Sequence, residues 1–503
     1  MLMIVPAAQF GGVQTWAARV LNALSRRGLP VGLVAEGERT AWPIDRAVEF
    51  THIGPVHYSK DGTDCVLTDR TTDLSVPLRA ASDSFDRLAA RTDGPIVLAP
   101  QFLGAAYGLA AELTRLRPER SRLVGWAHSD NTYDAHIIQR YALAMHTAVG
   151  VSTHLAGVLA ERLPREIRVE HIPYGVAVPP APPRTPPAGR PLRLIYAGRL
   201  EDRQKRASTL PEISRALTDR NIDHSLTVVG GGPLAGVIAE NATPSMRTIG
   251  PRDPAAVAEM LRQADGFLLP SRFEGLSIAM LEAMAAGCVP IVTNVRSGAQ
   301  DAINHDDNGL LIDAPDDAPP AEIGGRFADA IARLTPQRWG AMSHAAHATA
   351  SARFSIEAHT DRVAALLDRV AEQPPRPWPA DRPAAYAELG GSVPADAADR
   401  VAAALRNLAD RRVAIHGTGA HTEAVAPLLR EADGSLVAFT DDDPARTNGE
   451  LLGRPIVPPA ELAGFGVTDV IISSALHERD IWQRRGIYES RGITVHRLYA
   501  DAA

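Results

Sequence analysis

Glu274 and Glu282 lie eight positions apart in a segment whose pattern predicts an anion site between two acids. The apolar run Gly266–Leu269 predicts a buried parallel strand. A helix is expected from about Leu276 to Gly287, where the glycine suits its end. Because such a helix points free N–H groups and its positive dipole end at the crevice, it favours a diphosphate. Carboxylates accept hydrogen bonds from hydroxyl groups, so the segment fits the sugar, diphosphate and ribose of a nucleotide-sugar.

Two cations follow the predicted strand Leu192–Ala197. Arg199 stands at its end and Lys205 comes six residues later. Breaking the bond between a sugar and a diphosphate places negative charge on the departing oxygen, and fixed cations there stabilise the transition state more than the ground state. A solvated basic turn is the alternative, but the position at the carboxyl end of a strand favours function.

Glycines and one histidine occupy comparable positions. Gly11-Gly12 follows the first predicted strand, and Gly230-Gly231-Gly232 follows another. Glycine lets a backbone approach a ligand closely, although a tight turn would also explain both runs. His128 comes just after the predicted strand Arg122–Trp126, where it could face a ligand or simply be packed in the core.

The Glu274 segment resembles the Glu-x7-Glu signature of the retaining glycosyltransferases of family 4, which have two facing Rossmann-like domains, the GT-B fold. The resemblance covers about Leu2 to Val370. It implies that Glu274 contacts the donor sugar, that Glu282 holds the ribose hydroxyls, and that Arg199 and Lys205 form the family's cationic pair.

By the same resemblance, His128 lies near the reactive face of the sugar. The other donor-binding positions that it implies are Gly275, Leu276, Ser277, Gly11, Gly12 and Gly231. The element Ile-Pro-Tyr-Gly-Val departs from the family pattern, because Tyr174 replaces the usual Asn. That departure puts a local turn or hydrogen bond in doubt.

Composition limits the other classes. The chain has 503 residues, 45% hydrophobic and 22% charged, with a formal charge of −7, which argues against general nucleic-acid binding. Two distant cysteines, Cys65 and Cys288, predict neither a disulfide framework nor a zinc site, and the 16 histidines form no ligand motif. We therefore expect a cytoplasmic, metal-independent enzyme without a cofactor. The apolar start predicts a strand and not a signal peptide, and no spanning helix is expected.

The βα pattern predicts an α/β protein with three Rossmann-like domains. We expect two facing GT-B domains, for the acceptor and for the donor, and a small accessory domain. The predicted boundaries are an acceptor domain over 1–178, a hinge over 179–191, a donor domain over 192–352, a crossover helix over 353–372, a linker over 373–395 and the accessory domain over 396–503. The Val178–Pro191 stretch contains seven prolines and suits a semi-rigid spacer.

The accessory domain contains an incomplete dinucleotide fingerprint. Gly417, Gly419 and His421 follow a predicted strand, and Asp441 ends the next. The pattern is similar to the nucleotide-sugar-binding domains that precede sugar acetyltransferases. The alternatives are a domain kept for docking or homo-oligomerisation, and an NAD-dependent oxidoreductase, against which the incomplete fingerprint speaks.

Together these features predict a glycosyltransferase that uses a nucleotide-diphosphate sugar, of uridine or guanosine type, and the resemblance implies that it is a retaining hexosyltransferase. The acceptor could be a saccharide, a lipid-linked molecule or a small molecule, and the resemblance leaves peripheral contact with the inner face of the membrane open. Two rival hypotheses remain: a nucleotide-sugar epimerase or hydrolase on the same fold, and an inactive assembly protein.

Overall fold

The computed structural model describes the chain in two compact units. One contains Met1–His52, Ala80–Phe102 and Leu116–Pro377, and the other contains Ile53–Arg79, Leu103–Arg115 and Trp378–Ala503. The residues outside the description are 6–10, 36–41, 54–74, 102–103, 131, 181–188, 382–384, 386–396, 420, 423–424, 433–434, 443–446, 448, 475–477 and 500–503. Cys65 and most of the predicted hinge and linker therefore lie outside the described residues.

A parallel sheet forms the N-terminal lobe of the first unit. Its described strands are β1 (Leu2–Val5), β2 (Gly32–Ala35), β3 (Glu49–His52), β4 (Ile96–Pro100), β5 (Ser121–Ala127), β6 (Thr147–Gly150) and β7 (Arg168–His171). Their spatial order is β3-β2-β1-β4-β5-β6-β7. The central strands β1, β4 and β5 are buried along their whole length, as expected of parallel strands.

The helices of this part of the chain are α1 (Gly12–Arg26), α2 (Ser75–Ala89), α3 (Gly104–Leu116), α4 (Thr132–Arg140) and α5 (Thr153–Arg162). Helix α1 begins at Gly12, the second glycine of the predicted loop. The Gly11 amide donates to Gln14 Oε1 at 2.9 Å, which satisfies one donor at the helix start. Apolar residues at helical spacing, including Trp16, Val20 and Leu24, are buried.

A second parallel sheet forms the central lobe of the same unit. Its described strands are β8 (Leu192–Ala197), β9 (His224–Val229), β10 (Met246–Thr248), β11 (Gly266–Leu269), β12 (Val289–Thr293) and β13 (Leu310–Ile312), in the order β10-β9-β8-β11-β12-β13. Its helices are α6 (Thr209–Asp219), α7 (Ala235–Glu240), α8 (Pro254–Gln263), α9 (Ile278–Ala285), α10 (Ala299–Ala302), α11 (Pro320–Ala332) and α12 (Pro336–Arg353). β11 pairs with β8 in the register Gly266 to Leu194.

The next helix, α13 (Ile356–Ala371), returns to the N-terminal lobe. Trp16 Nε1 donates to His359 Nε2 at 2.8 Å, and α13 packs against α1. The chain crosses between the lobes at Val176, and it crosses again at residues 354–356, which lie beside Val176. The Val176 amide donates to Phe354 O at 2.8 Å, and the Ile356 amide donates to Val176 O at 2.9 Å. The two crossings are therefore hydrogen-bonded to each other.

The second unit contains a mixed sheet. Its described strands are β14 (Val413–His416), β15 (Leu436–Thr440), β16 (Glu450–Leu451), β17 (Arg454–Val457), β18 (Asp469–Ile472) and β19 (Thr494–His496), in the order β16-β17-β15-β14-β18-β19. Only the β16–β17 pair among these is antiparallel. The helices are α14 (Ala397–Asn407), α15 (Ala426–Glu431), α16 (Glu478–Gln483) and α17 (Gly486–Glu489). Within this unit, the buried Trp378 is held by a hydrogen bond from its amide to Thr114 Oγ1 at 2.9 Å.

The predicted fold class, with two Rossmann-like domains and a third smaller one, is confirmed. The sequence did not predict β3 and β7, whose four residues each include polar side chains and are only partly buried. Their edge positions explain this pattern, because an edge strand lacks a neighbour on one side. Among the described helices, none is both long enough and apolar enough to cross a bilayer.

Candidate active site

The strand order of the central lobe brings the predicted catalytic loops together. β8 and β11 are neighbours, although the chain forms β9 and β10 between them. Such a reversal of strand order creates a crevice at the carboxyl ends of the strands, where ligands bind. The loop after β8 carries Arg199 and Lys205, and the loop after β11 carries Glu274. The two loops are joined by a hydrogen bond from the Arg272 amide to Gln204 O at 2.7 Å.

A partly buried ion pair connects Lys205 and Glu274. The Lys205 Nζ lies 2.5 Å from Glu274 Oε1, and the two side chains are 16% and 9% exposed. Ser271 Oγ donates to the same carboxylate oxygen at 2.7 Å, and Gln204 Nε2 donates to the other at 3.3 Å. The structure thus brings together the predicted leaving-group cation and the predicted sugar-contacting acid. Sequence reasoning missed Ser271 and Gln204, because nothing in their spacing links them to the acid.

Arg199 lies on the same loop but has a different environment. Its side chain is exposed, and no hydrogen bond or ion pair joins the guanidinium to another residue that the structure describes. Its carbonyl accepts a hydrogen bond from the Tyr196 hydroxyl at 2.7 Å, which fixes the turn. Burial, followed by the negative charge of Glu274, raises the pKa of Tyr196, so this hydroxyl stays protonated and keeps donating.

The glycine run after β9 has a structural explanation. Gly230 has φ +147°, and a Cβ there would lie 1.8 Å from Gly198 O. The Gly231 carbonyl accepts a hydrogen bond from the Leu200 amide at 2.8 Å. The run therefore lies tightly against the turn that carries the predicted arginine. The donor-binding role of Gly231 stays a prediction.

The start of helix α9 offers hydrogen-bond donors to the crevice. The helix begins at Ile278, two residues later than predicted, and Ser277 caps it by accepting a hydrogen bond from the Met280 amide at 3.3 Å. The main-chain amides of Leu276, Ser277 and Ile278 donate to none of the described residues. Unpaired amides at a helix start attract anions, and the helix dipole adds to that attraction.

The two lobes touch at the start of this helix. A Cβ on Gly275 would lie 2.0 Å from His128 O, so only a glycine fits against the facing lobe here. A Cβ on Gly12 would lie 3.5 Å from Ile278 Cδ1, and both Gly11 and Gly12 are exposed. The predicted donor-binding glycines of the N-terminal lobe therefore lie beside the predicted diphosphate site.

Two polar contacts also join the lobes. Arg19 Nη2 on α1 lies 2.6 Å from Glu282 Oε1 on α9, and both side chains are about one-quarter exposed. The Thr153 amide donates to Asp301 Oδ2 at 2.8 Å, and its hydroxyl donates to the other carboxylate oxygen. Sequence reasoning identified Glu282 but not Arg19, because the two residues are 263 positions apart and no local pattern connects them.

His128 is held inside the N-terminal lobe. Its Nε2 lies 2.5 Å from Gln101 Oε1, and its Nδ1 lies 2.5 Å from the Tyr174 hydroxyl. Burial lowers the pKa of His128 to about 3, so the ring is neutral at physiological pH. The Tyr174 that departs from the family pattern is thus a partner of the predicted catalytic histidine. A sugar could hydrogen-bond to the ring only by displacing Gln101 or Tyr174, and the catalytic role of His128 stays a prediction.

In the second unit, the predicted nucleotide loop follows β14 at another reversal of strand order, between β14 and β18. Gly417 has φ +104°, a conformation that favours glycine. Asp441 Oδ2 accepts hydrogen bonds from the Thr418 amide at 3.0 Å and from the Thr418 hydroxyl at 2.6 Å. Asp441, which was predicted to bind a ribose, is therefore hydrogen-bonded to the loop that contains Gly419.

The predicted histidine of this loop is buried among side chains of the same unit. His421 Nδ1 lies 2.9 Å from Ser473 Oγ, and Nε2 lies 2.6 Å from the Tyr499 hydroxyl. Burial lowers the pKa of His421 to about 4, so the ring is neutral near pH 7. The nucleotide-binding role of Gly417, Gly419, His421 and Asp441 stays a prediction.

Comparison with known proteins shows what the part of the chain that carries the site is similar to. Residues 191–336 match the family described as "Glycosyl transferases group 1". The chain is 29% identical over 167 residues to D-inositol 3-phosphate glycosyltransferase 1 of Catenulispora acidiphila, covering 30% of this chain and 40% of the relative. It is 27% identical over 271 residues to a GDP-mannose-dependent alpha-(1-6)-phosphatidylinositol monomannoside mannosyltransferase of Mycobacterium tuberculosis, covering 46% and 66%. The matches thus span less than two thirds of these relatives.

Solved structures show the same fold. Sucrose-phosphate synthase from Thermosynechococcus elongatus superposes with a TM-score of 0.57 at 17% identity, over 73% of this chain and 98% of the other. Anabaena HepE in complex with UDP and glucose superposes with a TM-score of 0.56 at 14% identity, over 73% and 99%. These identities support the fold alone. The chain has the GT-B fold, and residues 191–336 within it match the group 1 glycosyltransferase family.

Proposed function

We propose that this protein transfers a sugar from a nucleoside-diphosphate donor to an acceptor with retention of anomeric configuration. The proposal is carried by one observation: a cation, two acids and unpaired helix amides converge on the crevice beside β8 and β11. Lys205 and Glu274 are in contact there, and Glu282 lies on the helix whose first amides donate to none of the described residues. The acids can accept hydrogen bonds from the hydroxyl groups of a sugar and a ribose, and the cation and the amides can bind the diphosphate between them.

The donor diphosphate binds at the start of α9 in this proposal. The amides of Leu276, Ser277 and Ile278 donate to its oxygens, and Lys205 and Arg199 supply positive charge. Glu274 accepts hydrogen bonds from sugar hydroxyls, and Glu282 accepts them from the ribose. Lys205 is paired with Glu274 in the structure. When the donor binds, its phosphate therefore shares Lys205 with Glu274 or takes the place of the carboxylate, and the sugar hydroxyls do the same at Glu274.

The reaction breaks the bond between the anomeric carbon and the β-phosphate oxygen. A new bond forms between that carbon and the acceptor oxygen on the same face, and the acceptor proton passes to the leaving phosphate. The bonding electrons stay with the diphosphate, whose growing charge the amides and cations stabilise. We propose that these fixed charges make a divalent metal unnecessary.

A screen of donors and acceptors tests which base and which acceptor the protein uses. The mycobacterial relative is named as GDP-mannose-dependent, and the HepE structure contains UDP, so both bases belong in a donor screen. A saccharide, a lipid-linked molecule or a small molecule could be the acceptor. The named relatives act on inositol-containing molecules, which makes inositol phosphates and phosphatidylinositol glycans suitable first candidates.

The test is calorimetric binding of uridine and guanosine diphosphates, followed by mass spectrometry of products formed from the matching sugar nucleotides. We expect one base to bind and a sugar to be transferred to an added acceptor. Glu282→Gln should weaken nucleotide binding, whereas Glu259→Gln, on the exposed surface of α8, is the matched control.

Each alternative gives a different result. Conversion or hydrolysis of the sugar nucleotide, with no transfer to any acceptor, would indicate an epimerase or hydrolase. Binding of neither nucleotide would contradict the proposed function and favour an assembly protein. Product stereochemistry, read from the anomeric NMR signals, decides whether configuration is retained.

A further inference from the structure

The N-terminal lobe contributes a positive charge to the acid that we assign to the ribose. Arg19 Nη2 lies 2.6 Å from Glu282 Oε1. The other terminal nitrogen of Arg19, Nη1, is buried and has no hydrogen-bond partner among the described residues. A buried N–H group without an acceptor costs free energy, so this nitrogen is a candidate to donate a hydrogen bond to a ligand oxygen.

The position of Glu282 along α9 limits which group of a ligand can lie beside the Arg19–Glu282 pair. Glu282 is four residues beyond Ile278, which places it about 6 Å along the helix axis from the amides assigned to the diphosphate. That spacing suits a ribose beside its phosphate. A guanidinium can donate to two acceptors at once, and phosphate oxygens are acceptors that it matches well.

Resting on the proposed function, we infer that Arg19 is a donor-binding residue supplied by the facing lobe. Its Nη2 orients the Glu282 carboxylate for the ribose hydroxyls, and its Nη1 donates to an oxygen of the donor phosphate nearest the ribose. The nucleotide is thereby bound by both lobes, and its arrival favours the arrangement in which they touch.

A purely structural role for Arg19, in which the ion pair only holds the lobes together, makes different predictions. Thr153 and Asp301 already connect the lobes through two hydrogen bonds, so the lobes do not depend on the Arg19–Glu282 pair alone. If Arg19 only held the lobes together, it would act through Glu282 alone, and its removal would not change how the phosphate is bound. The two roles can therefore be separated by removing the acid first.

The experiment measures affinity for the nucleoside diphosphate that wild type binds and for the corresponding nucleoside without phosphate. The variants are Arg19→Ala, Glu282→Ala and the double variant. Arg26→Ala is the matched control, because Arg26 is on the same helix and its pair with Asp45 is exposed. Arg19→Ala should weaken binding of the diphosphate about tenfold or more, the usual effect of losing a charged hydrogen bond, and should weaken binding of the nucleoside by less, because the nucleoside loses only the orientation of Glu282.

The double variant provides the decisive comparison. If Arg19 contacts the phosphate, its removal still weakens diphosphate binding when Glu282 is alanine. If it does not weaken binding in that background, or if nucleoside and diphosphate lose affinity equally, the inferred phosphate contact is wrong. Wild type that binds no nucleoside diphosphate would contradict the proposed function and the inference together, whereas normal binding by Arg19→Ala would contradict the inference alone.

Discussion

Replacing Gly275 by alanine tests whether the contact between the lobes is used in the reaction. The new Cβ would lie 2.0 Å from His128 O and 2.7 Å from the His128 carbonyl carbon. Both are backbone atoms of the facing lobe, so no side chain can rotate out of the way. The backbones must move apart by about 1.4 Å to reach the 3.4 Å of an ordinary contact.

We expect this separation to lower turnover more than donor affinity. The donor binds mainly to the central lobe, and the alanine keeps the amide at position 275. A misplacement of about 1 Å costs about a hundredfold in rate, whereas overpacking typically costs about 1–3 kcal/mol of stability. The assay compares initial rates of sugar transfer at saturating donor, nucleotide affinity and thermal unfolding.

Gly236→Ala is the matched control, because a Cβ on this helical glycine of the same lobe meets no atom within 4 Å. It should leave turnover unchanged. If Gly275→Ala also turned over at the wild-type rate, the contact between Gly275 and His128 would not belong to the reactive arrangement. A loss of turnover that merely followed a loss of folded protein would contradict the reasoning as well.

Two further predictions concern charge. Lys205→Ala should reduce turnover at saturating donor more than it reduces nucleotide affinity, because the cation acts on charge that develops as the bond breaks. The assay measures kcat and KM of this variant and of Lys205→Arg, which keeps the charge. A loss of nucleotide affinity with unchanged turnover would contradict the prediction. Burial lowers the pKa of His128 to about 3, so the unfolded chain takes up a proton below pH 6.5 that the folded chain excludes. The free energy of unfolding should therefore fall by about 2 kcal/mol from this group between pH 7 and pH 5. Urea unfolding of wild type and His128→Gln checks this, and equal pH slopes would refute it.

The sequence predicted the elements whose side chains are mostly apolar. Leu192–Ala197, which contains one arginine, and Gly266–Leu269 have the bounds that were expected, since buried parallel strands are nearly continuous apolar runs. The convergence of Lys205 and Glu274 was also predictable, because both follow strands of one parallel sheet. Glu49–His52 was not, because an edge strand with partly exposed polar residues has no such run.

The missing parts of the site depend on contacts between distant segments. Arg19 resembles any polar residue of an amphipathic helix until the fold places Glu282 opposite it. Likewise, His128 follows a strand as a ligand-binding residue would. Its two partners, Gln101 and Tyr174, come from other parts of the lobe, and they bury the ring. Spacing along the chain carries no information about such pairs.

The paired crossings at Val176 restrict how the lobes can move. Because the Phe354 carbonyl and the Ile356 amide both bond to Val176, the two connections behave as one short pivot. Sliding of one lobe along the other would break these bonds, whereas rotation about the pivot would keep them. Displacement then grows with distance from the axis. A pair of fluorescent labels placed near the pivot would report almost no change, and a pair at the far rim would report the full angular swing.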